Sequence, residues 1–298
     1  MNNDPKQAVL EKLQRLERMP SIPAVLYPLI KQLEQPAEDV NLDKVVDLIS
    51  QDVAMVGQCL QMANSPLFGR AQEVESVRSA VIALGIRRMH NIAMSCCILK
   101  IIPPDRSTFD PLIFWEHSLG CALLCRHFAI SIGFPNPEKA YLAGLLHDLG
   151  IIVNIWVLPQ AFKHACELAR SERIPLHEAE LRTIGITHCE SGKILAERWH
   201  FSADLTEVMK CHHDPESAQS HRALVALVSL NDLLCRMWSL GYGHGEDRQI
   251  DFREQPAFAL LHQECPALSK LDWARFTFEL ESRFEEVQLL VNQVFRAQ

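Results

Sequence analysis

The sequence predicts an all-α protein, and three observations carry that prediction. Apolar residues recur at helical spacing along most of the chain. Alternation of the kind a half-buried strand needs is nowhere sustained beyond a few residues. The 298 residues include only 12 glycines and 3 tyrosines, poor material for a strand-rich fold. With 48% hydrophobic and 22% charged residues, the chain has the composition of an ordinary globular protein and enough apolar side chains for a sizeable core.

The elements follow in order. A first helix is closed by Pro20 and Pro23. From Leu42 to Leu60 the positions Val45, Val46, Leu48, Ile49, Val53, Val56 and Leu60 fit an amphipathic repeat. Val77 to Ile98 repeats the pattern through Val81, Ile82, Leu84, Ile86, Met89 and Ile92. Between them, Asn64-Ser65-Pro66-Leu67-Phe68-Gly69 is a breaker, in which Asn and Ser satisfy loose backbone groups and Pro66 stops the helix. Ile102-Pro103-Pro104-Asp105-Arg106-Ser107 is the strongest boundary, and the stretch from Gly241 to Arg248 is a second, flexible one. The last helix, Trp273 to Phe295, gathers Phe276, Phe278, Leu280, Phe284, Val287, Leu290 and Val291 on roughly one face and is expected to pack back on the body. These breaks divide the chain into a lead-in helix (1–15), an N-terminal helical lobe (16–105), a second helical lobe (106–240) and a C-terminal helical extension (241–298).

Charge and cysteine usage narrow the function classes. A net charge of −8 argues against a general nucleic-acid binder. No stretch reaches the ~18 to 20 uninterrupted apolar residues of a membrane span, and the polar start Met1-Asn-Asn-Asp-Pro-Lys has no signal-peptide core. Ten scattered cysteines without a CxxC pair read as reduced, buried thiols, so the expected location is the cytoplasm.

Against this background one run stands apart. His147 and Asp148 sit within the almost wholly apolar segment from Tyr141 to Ile152, read as a buried helix. An ionised carboxylate there costs several kcal/mol unless a cation, a hydrogen-bond network or a metal ion pairs with it. Further imidazoles and a second acid lie in segments read as helical: His117, His188, His212, His213, and Asp232 in the apolar run from Leu224 to Leu234. Imidazole and carboxylate together suit one or two divalent ions, with Fe, Mn, Zn and Co not distinguished. The remaining histidines, His90, His127, His164, His177, His200, His221, His244 and His262, read as ordinary core or surface residues. Cys189 and Cys211 read as packing residues on the far side of their helices.

The joint pattern, H…HD…D, resembles that of the HD superfamily of metal-dependent phosphohydrolases, and more closely that of the HDOD family of HD-related output domains. Met19-Pro20-Ser21-Ile22-Pro23 looks like that family's opening. Ile49-Ser50-Gln51-Asp52-Val53 is similar to its Asp-Pro segment, with Val53 in place of proline. The segment from Cys59 to Gly69 resembles its Asn-Ser motif, and that from Ser76 to Gly85 its Ala…Leu-Gly helix. The resemblance covers roughly residues 16 to 235. It implies a helical bundle of HD type behind a smaller N-terminal lobe. It also implies a core ligand set of His117, His147, Asp148 and Asp232, the extra histidines of two-metal members at His188, His212 and His213, and a supporting or additional ligand at Glu180.

One departure concerns turnover. Relatives that cleave cyclic dinucleotides often read His-Asp-x-Gly-Lys, where the lysine serves a substrate phosphate. Here Ile151 follows Gly150, and the Gly-Tyr-Pro motif is absent. Three functions therefore stand open. The first is a signalling or regulatory module that keeps a metal site and acts on a protein partner. The second is a metal-dependent phosphohydrolase acting on a phosphorylated small molecule or nucleotide, with His147, Asp148 and His188 as its catalytic residues. The third is a metal-free helical interaction scaffold.

Overall fold

A computed structural model describes residues 5–15, 24–33, 41–68, 73–103, 109–241 and 250–296. The Met19–Pro23 opening, Gly69, most of the Ile102–Ser107 boundary and the stretch after Gly241, His244 included, lie outside these residues. As the sequence predicts, the described residues are helical and contain no strand. They divide into two compact units that do not follow chain order. One takes its residues from Met1–Pro20 and Pro103–Leu271, the other from Ser21–Ile102 and Asp272–Gln298. The stretch read as a C-terminal extension is thus shared between them.

The first helix, α1 (Pro5–Arg15), contributes to the larger unit. The smaller unit begins with α2 (Leu26–Leu33), α3 (Leu42–Ser50) and α4 (Val53–Ala63) and continues with α5 (Val77–Leu84) and α6 (Ile86–Leu99). The two long amphipathic repeats of the sequence are each cut in two. Asp52 ends the first repeat by leaving the helical conformation and accepting from the Met55 amide as N-cap of α4. That cap puts Val53 at the first helical position, where proline is favoured for the same geometric reason. Gly85 cuts the second at φ +85°, a conformation that L side chains rarely adopt. Helix α6 is the core of this unit, buried continuously from Met89 to Ile98, with α2, α4 and α5 against it. Its His90 is a neutral core residue, pushed down to about 3 by burial. Asn64 holds Val74 from both sides, donating to its carbonyl (3.0 Å) and accepting from its amide (2.8 Å), and Ser65 donates to the Met62 carbonyl. The Asn-Ser-Pro segment is therefore a backbone clamp.

The larger unit resumes with α7 (Pro111–Ser131), α8 (Pro137–Leu146), α9 (Leu149–Val157), α10 (Pro159–Glu172) and α11 (Leu176–Thr183). It is completed by α12 (His188–Arg198), α13 (Ala203–Cys211), α14 (Arg222–Met237) and α15 (Pro256–Glu264). Their starts are legible in local chemistry: Asp110 and Asn136 cap α7 and α8 ahead of Pro111 and Pro137, and Thr187 with Glu190 forms a capping box on α12. Helix α7 packs against α8 and α14, and α9 against α12. The apolar stretch Pro137–Val157 is long enough to cross a membrane by composition, but 89% of it is buried inside the protein. It is also two helices, because α8 stops at Leu146 and α9 starts at Leu149. In the smaller unit the final helix α16 (Trp273–Arg296) packs on α4, where Gln61 donates to the Gln293 carbonyl. The predicted face of α16 is buried at Phe276, Leu280, Phe284, Val287, Leu290 and Val291, whereas Phe278 points to solvent.

Gly150 sets the distance between α9 and α12. A Cβ on Gly150 would stand 1.8 Å from the His188 carbonyl oxygen and 2.7 Å from the Gly192 amide, so these helices touch backbone to backbone. The atoms in the way cannot rotate aside. Gly150→Ala is expected to cost more than about 3 kcal/mol in urea unfolding, beyond ordinary overpacking. A loss under about 1 kcal/mol would show that the helices tolerate separation.

Candidate metal centre

The seven residues singled out in the sequence converge in the larger unit. His117 projects from the middle of α7 and Asp232 from α14. The other five lie at helix ends, and of these the sequence reads only His147 and Asp148 as lying inside one continuous helix. His147 and Asp148 form the break between α8 and α9, His188 is the first residue of α12, and His212 and His213 form the turn after α13. At the ends of α8 and α13 the last turn offers carbonyls to the ring that follows it. His147 donates through Nδ1 to the Gly144 carbonyl (2.7 Å) and His212 to that of Val208 (3.1 Å), each using the last turn of its own helix as a support.

These supports fix the tautomers. A carbonyl can only accept, so Nδ1 carries the proton in His147 and His212, and in His117, which donates to the Leu240 carbonyl at 2.9 Å. His188 donates from Nδ1 to Glu180 Oε2 (2.6 Å), which also accepts the His188 amide (2.8 Å). Glu180 is itself held by Asn154 (2.9 Å), which accepts from Ser191 (2.6 Å). Glu180 is therefore the positioner of His188 rather than part of the inner cluster. Four Nε2 atoms are left pointing inward, which is how histidines are prepared for a metal.

The inward atoms form two groups that share Asp148. On one side His117 Nε2 and His147 Nε2 lie 3.3 Å apart. Asp148 Oδ2 is 3.5 and 3.3 Å from them, and Asp232 Oδ1 is 3.1 and 3.8 Å away. On the other, Asp148 Oδ1 is 3.2 Å from His188 Nε2 and 3.3 Å from His212 Nε2. Those two nitrogens are 3.3 Å apart, and His213 Nε2 is 3.1 Å from that of His188. Two donors each about 2.1 Å from one ion stand about 3.0 to 3.4 Å apart at octahedral or tetrahedral angles. Most of the observed spacings fall in or beside that range, and the donor set is the nitrogen-and-oxygen kind that divalent ions take. Both groups fit an ion.

Electrostatics point the same way. Asp148 and Asp232 lie 1–2% exposed. Burial raises their proton affinity, yet His147 and His188 around Asp148, and Arg236 and His117 beside Asp232, hold both carboxyls well below the usual range. Burial likewise opposes charge on the imidazoles, and the carboxylates outweigh it. His117, His147 and His188 are held above the ordinary value, and His212 at about 9 with help from Cys189 and Asp148. His213 stays neutral through burial and its neighbours His212 and His177. The cluster thus demands cations, whether metal ions or protons.

Three neighbours were not selected from sequence. Cys189 Sγ lies 3.8 Å from both ring nitrogens of His212 and groups with His188, His212 and His213, so it faces the cluster and not the far side of its helix. His177 stacks on His213 with centroids 4.1 Å apart. Arg236 pairs with Asp232 through two bonds, Nε to Oδ1 at 3.1 Å and Nη2 to Oδ2 at 2.9 Å. Only Arg236 left a sequence signal, as the residue four positions after Asp232 on a helix. His177 acts through a tertiary contact that spacing does not encode. Ile151 is fully buried on α9.

Comparison with known proteins places this arrangement. The HDOD domain profile matches residues 19–215. The chain belongs to the HDOD family. A solved HDOD domain protein of unknown function from Geobacter sulfurreducens is 28% identical and superposes with a TM-score of 0.84, covering 97% of this chain and 98% of its own. A candidate phosphohydrolase from Shewanella amazonensis SB2B shares the fold at 22% identity and a TM-score of 0.73, over 96% and 98% of the two chains. An uncharacterized protein from Treponema pallidum (strain Nichols) is 28% identical over 228 residues, 74% of this chain and 43% of its own length. The chain spans less than half the length of the curated relatives it matches.

Two predictions follow from the support of the rings in this HDOD chain. Glu180→Gln keeps the shape but weakens the acceptor that orients His188, and is expected to lower metal affinity by about 10- to 100-fold in competition titrations. Unchanged affinity would show that His188 needs no such support. Second, protons compete with metal for nitrogens whose pKa is raised, so affinity is expected to climb from about pH 6.5 to about 9, the His212 value. Binding should release protons, seen as buffer-dependent heats in calorimetry. Protein stripped with a chelator has the opposite slope. Its raised imidazoles stabilise the fold fully below the unfolded value, and that contribution is lost as pH rises through the folded one. Its Tm should therefore fall between pH 6.5 and 9.

Proposed function

We propose that this chain is an HDOD module that hydrolyses phosphate esters at a two-ion centre, in which Asp148 would offer one oxygen to each group of ligands. The observation that supports this reading best is the pair of ligand-like groups on the two oxygens of one buried carboxylate, with the Nε2 atoms of His117, His147, His188 and His212 turned inward by their Nδ1 bonds. When bound, such ions polarise a phosphoryl oxygen and supply a nucleophile from water at neutral pH. The chain's own residues hold the reactants. His117, His147 and Asp232 fix one side and His188, His212 and His213 the other, while Asp148 keeps the two in register. Glu180 holds the Nδ1 proton of His188 and so keeps that ring's Nε2 turned toward the centre. The burial of Ile151 where catalytic relatives place a lysine favours a second reading, in which the same centre binds a phosphorylated ligand without turnover and the module signals its presence.

The deciding experiment is elemental analysis of protein purified with and without oxygen, alongside Asp148→Ala and an assay with p-nitrophenyl phosphate and its diester. Stoichiometric metal and turnover, both lost in the variant, are expected. Metal without turnover would move the assignment to the regulatory reading. Absence of metal under both conditions would sink the two-ion centre and leave a proton-filled polar network.

A further inference from the structure

The two groups around Asp148 differ in the atoms they offer. His117, His147, Asp148 and Asp232 bring nitrogen and oxygen. His188, His212 and His213 have a sulfur beside them. Cys189 Sγ lies 3.8 Å from His212 Nε2, and one ligand atom from each of these four residues lies within 4.8 Å of the other three.

We propose that Cys189 is a thiolate ligand of the ion held by His188, His212 and His213, so that this half of the centre takes a borderline-soft divalent ion of the zinc kind and the other half a harder one. The assignment rests on reading this half as an ion site. It adds sulfur to the nitrogen-and-oxygen set that the family resemblance implies.

Spacing is the first argument. An ion about 2.3 Å from a sulfur and about 2.0 to 2.1 Å from a nitrogen holds the two about 3.5 Å apart at tetrahedral angles. The sulfur is within a few tenths of an ångström of that distance from His212 Nε2. The nitrogens of His188 and His212 are 3.3 Å apart, and those of His188 and His213 3.1 Å. Three imidazoles and one thiolate thus have the number and spacing of a four-coordinate site.

The second argument is how firmly the backbone presents the sulfur. The Cys189 amide donates to Thr187 Oγ1 (3.2 Å), and the His188 amide to Glu180 (2.8 Å). The His188 carbonyl is pressed against Gly150 of α9, directly after Asp148 and Leu149. With its backbone pinned on these sides, Cys189 keeps one freedom, rotation about Cα–Cβ, and that rotation is enough to close the remaining gap. Coordination forms one sulfur–metal bond and sends the thiol proton to solvent. The third argument is selectivity. Thiolate favours zinc over manganese, whereas two carboxylates with two imidazoles accept harder ions, so one buried cluster can tell two ions apart. The competing reading is a packing thiol that gives a weak S–H bond to His212 Nε2.

The test is titration of cobalt(II), without oxygen, into chelator-treated wild type, Cys189→Ser, Cys189→Ala and, as a distant control, Cys265→Ser. Bound cobalt is counted, and the near-ultraviolet thiolate-to-cobalt charge-transfer band is recorded. X-ray absorption of the zinc-loaded proteins gives a second measurement. The wild type and Cys265→Ser are expected to show the band, and a sulfur shell at about 2.3 Å. Both Cys189 variants should lose band and shell, and their preference for zinc over manganese should fall at least about tenfold. The two variants differ in polarity, so a folding failure of one leaves the other to decide. Bound metal without a band or sulfur shell in the wild type overturns the proposal. So does a band that survives in the Cys189 variants. Two cobalt ions and no band would leave the two-ion reading standing without the thiolate. One ion with a Cys189-dependent band would support the thiolate and refute the two-ion reading, and no cobalt at all would refute both.

Discussion

Everything in the larger unit is arranged around one carboxylate that ought not to be where it is. Asp148 is nearly inaccessible, at a helix junction inside an apolar layer, and its two oxygens face opposite ways toward different pairs of imidazoles. The cost of burying it is met by cations, so its neighbours must be basic and held at fixed angles. That requirement explains why the histidines come from helix ends. A ring on a terminal turn can donate its proton to a carbonyl within a few residues, as His147 does to Gly144 and His212 to Val208, whose carbonyl also accepts the His212 amide. The support is then part of the helix and needs no separate partner.

The fold class and the identity of the cluster were legible because each rests on a local signal: helical periodicity for the first, polar residues in apolar runs for the second. Element boundaries were less so. The repeats Leu42–Leu60 and Val77–Ile98 read as single helices because the hydrophobic spacing carries on across Asp52 and Gly85, where a cap and a positive φ break the backbone. The same blindness joined α8 to α9 across His147-Asp148. Cys189 was assigned to the wrong face because His188 opens its helix and Cys189 follows at the first turn. There neighbouring side chains reach the same cluster by wrapping around the helix start. His177 and the grouping of the last helix with the N-terminal helices depend on contacts between distant segments, and no window on the sequence contains both partners.

Within the centre, charge and access are separated. The residues that hold the cluster are sealed, while the cavity beside it is lined by His212 of the cluster, the neutral pair His177 and His213, and Arg236. A sealed interior keeps the dielectric low, so the charges there interact strongly. Arg236, His213 and His177 are nonetheless joined to that interior, through Asp232, His188 and the ring stack on His213, so a change at any of them reaches the cluster.

The way the chain is shared between units has a consequence for how it assembles. The smaller unit draws on residues 21–102 and again on the last helix, with Gln61 bonded to Gln293. During synthesis its first five helices leave the ribosome well before the segment that covers α4. They must wait, with an apolar face exposed, while about 170 residues of the other unit emerge. At ~5–20 residues per second that delay is on the order of ten to thirty seconds. For that interval the early helices carry an apolar face that only the last segment of the chain can cover.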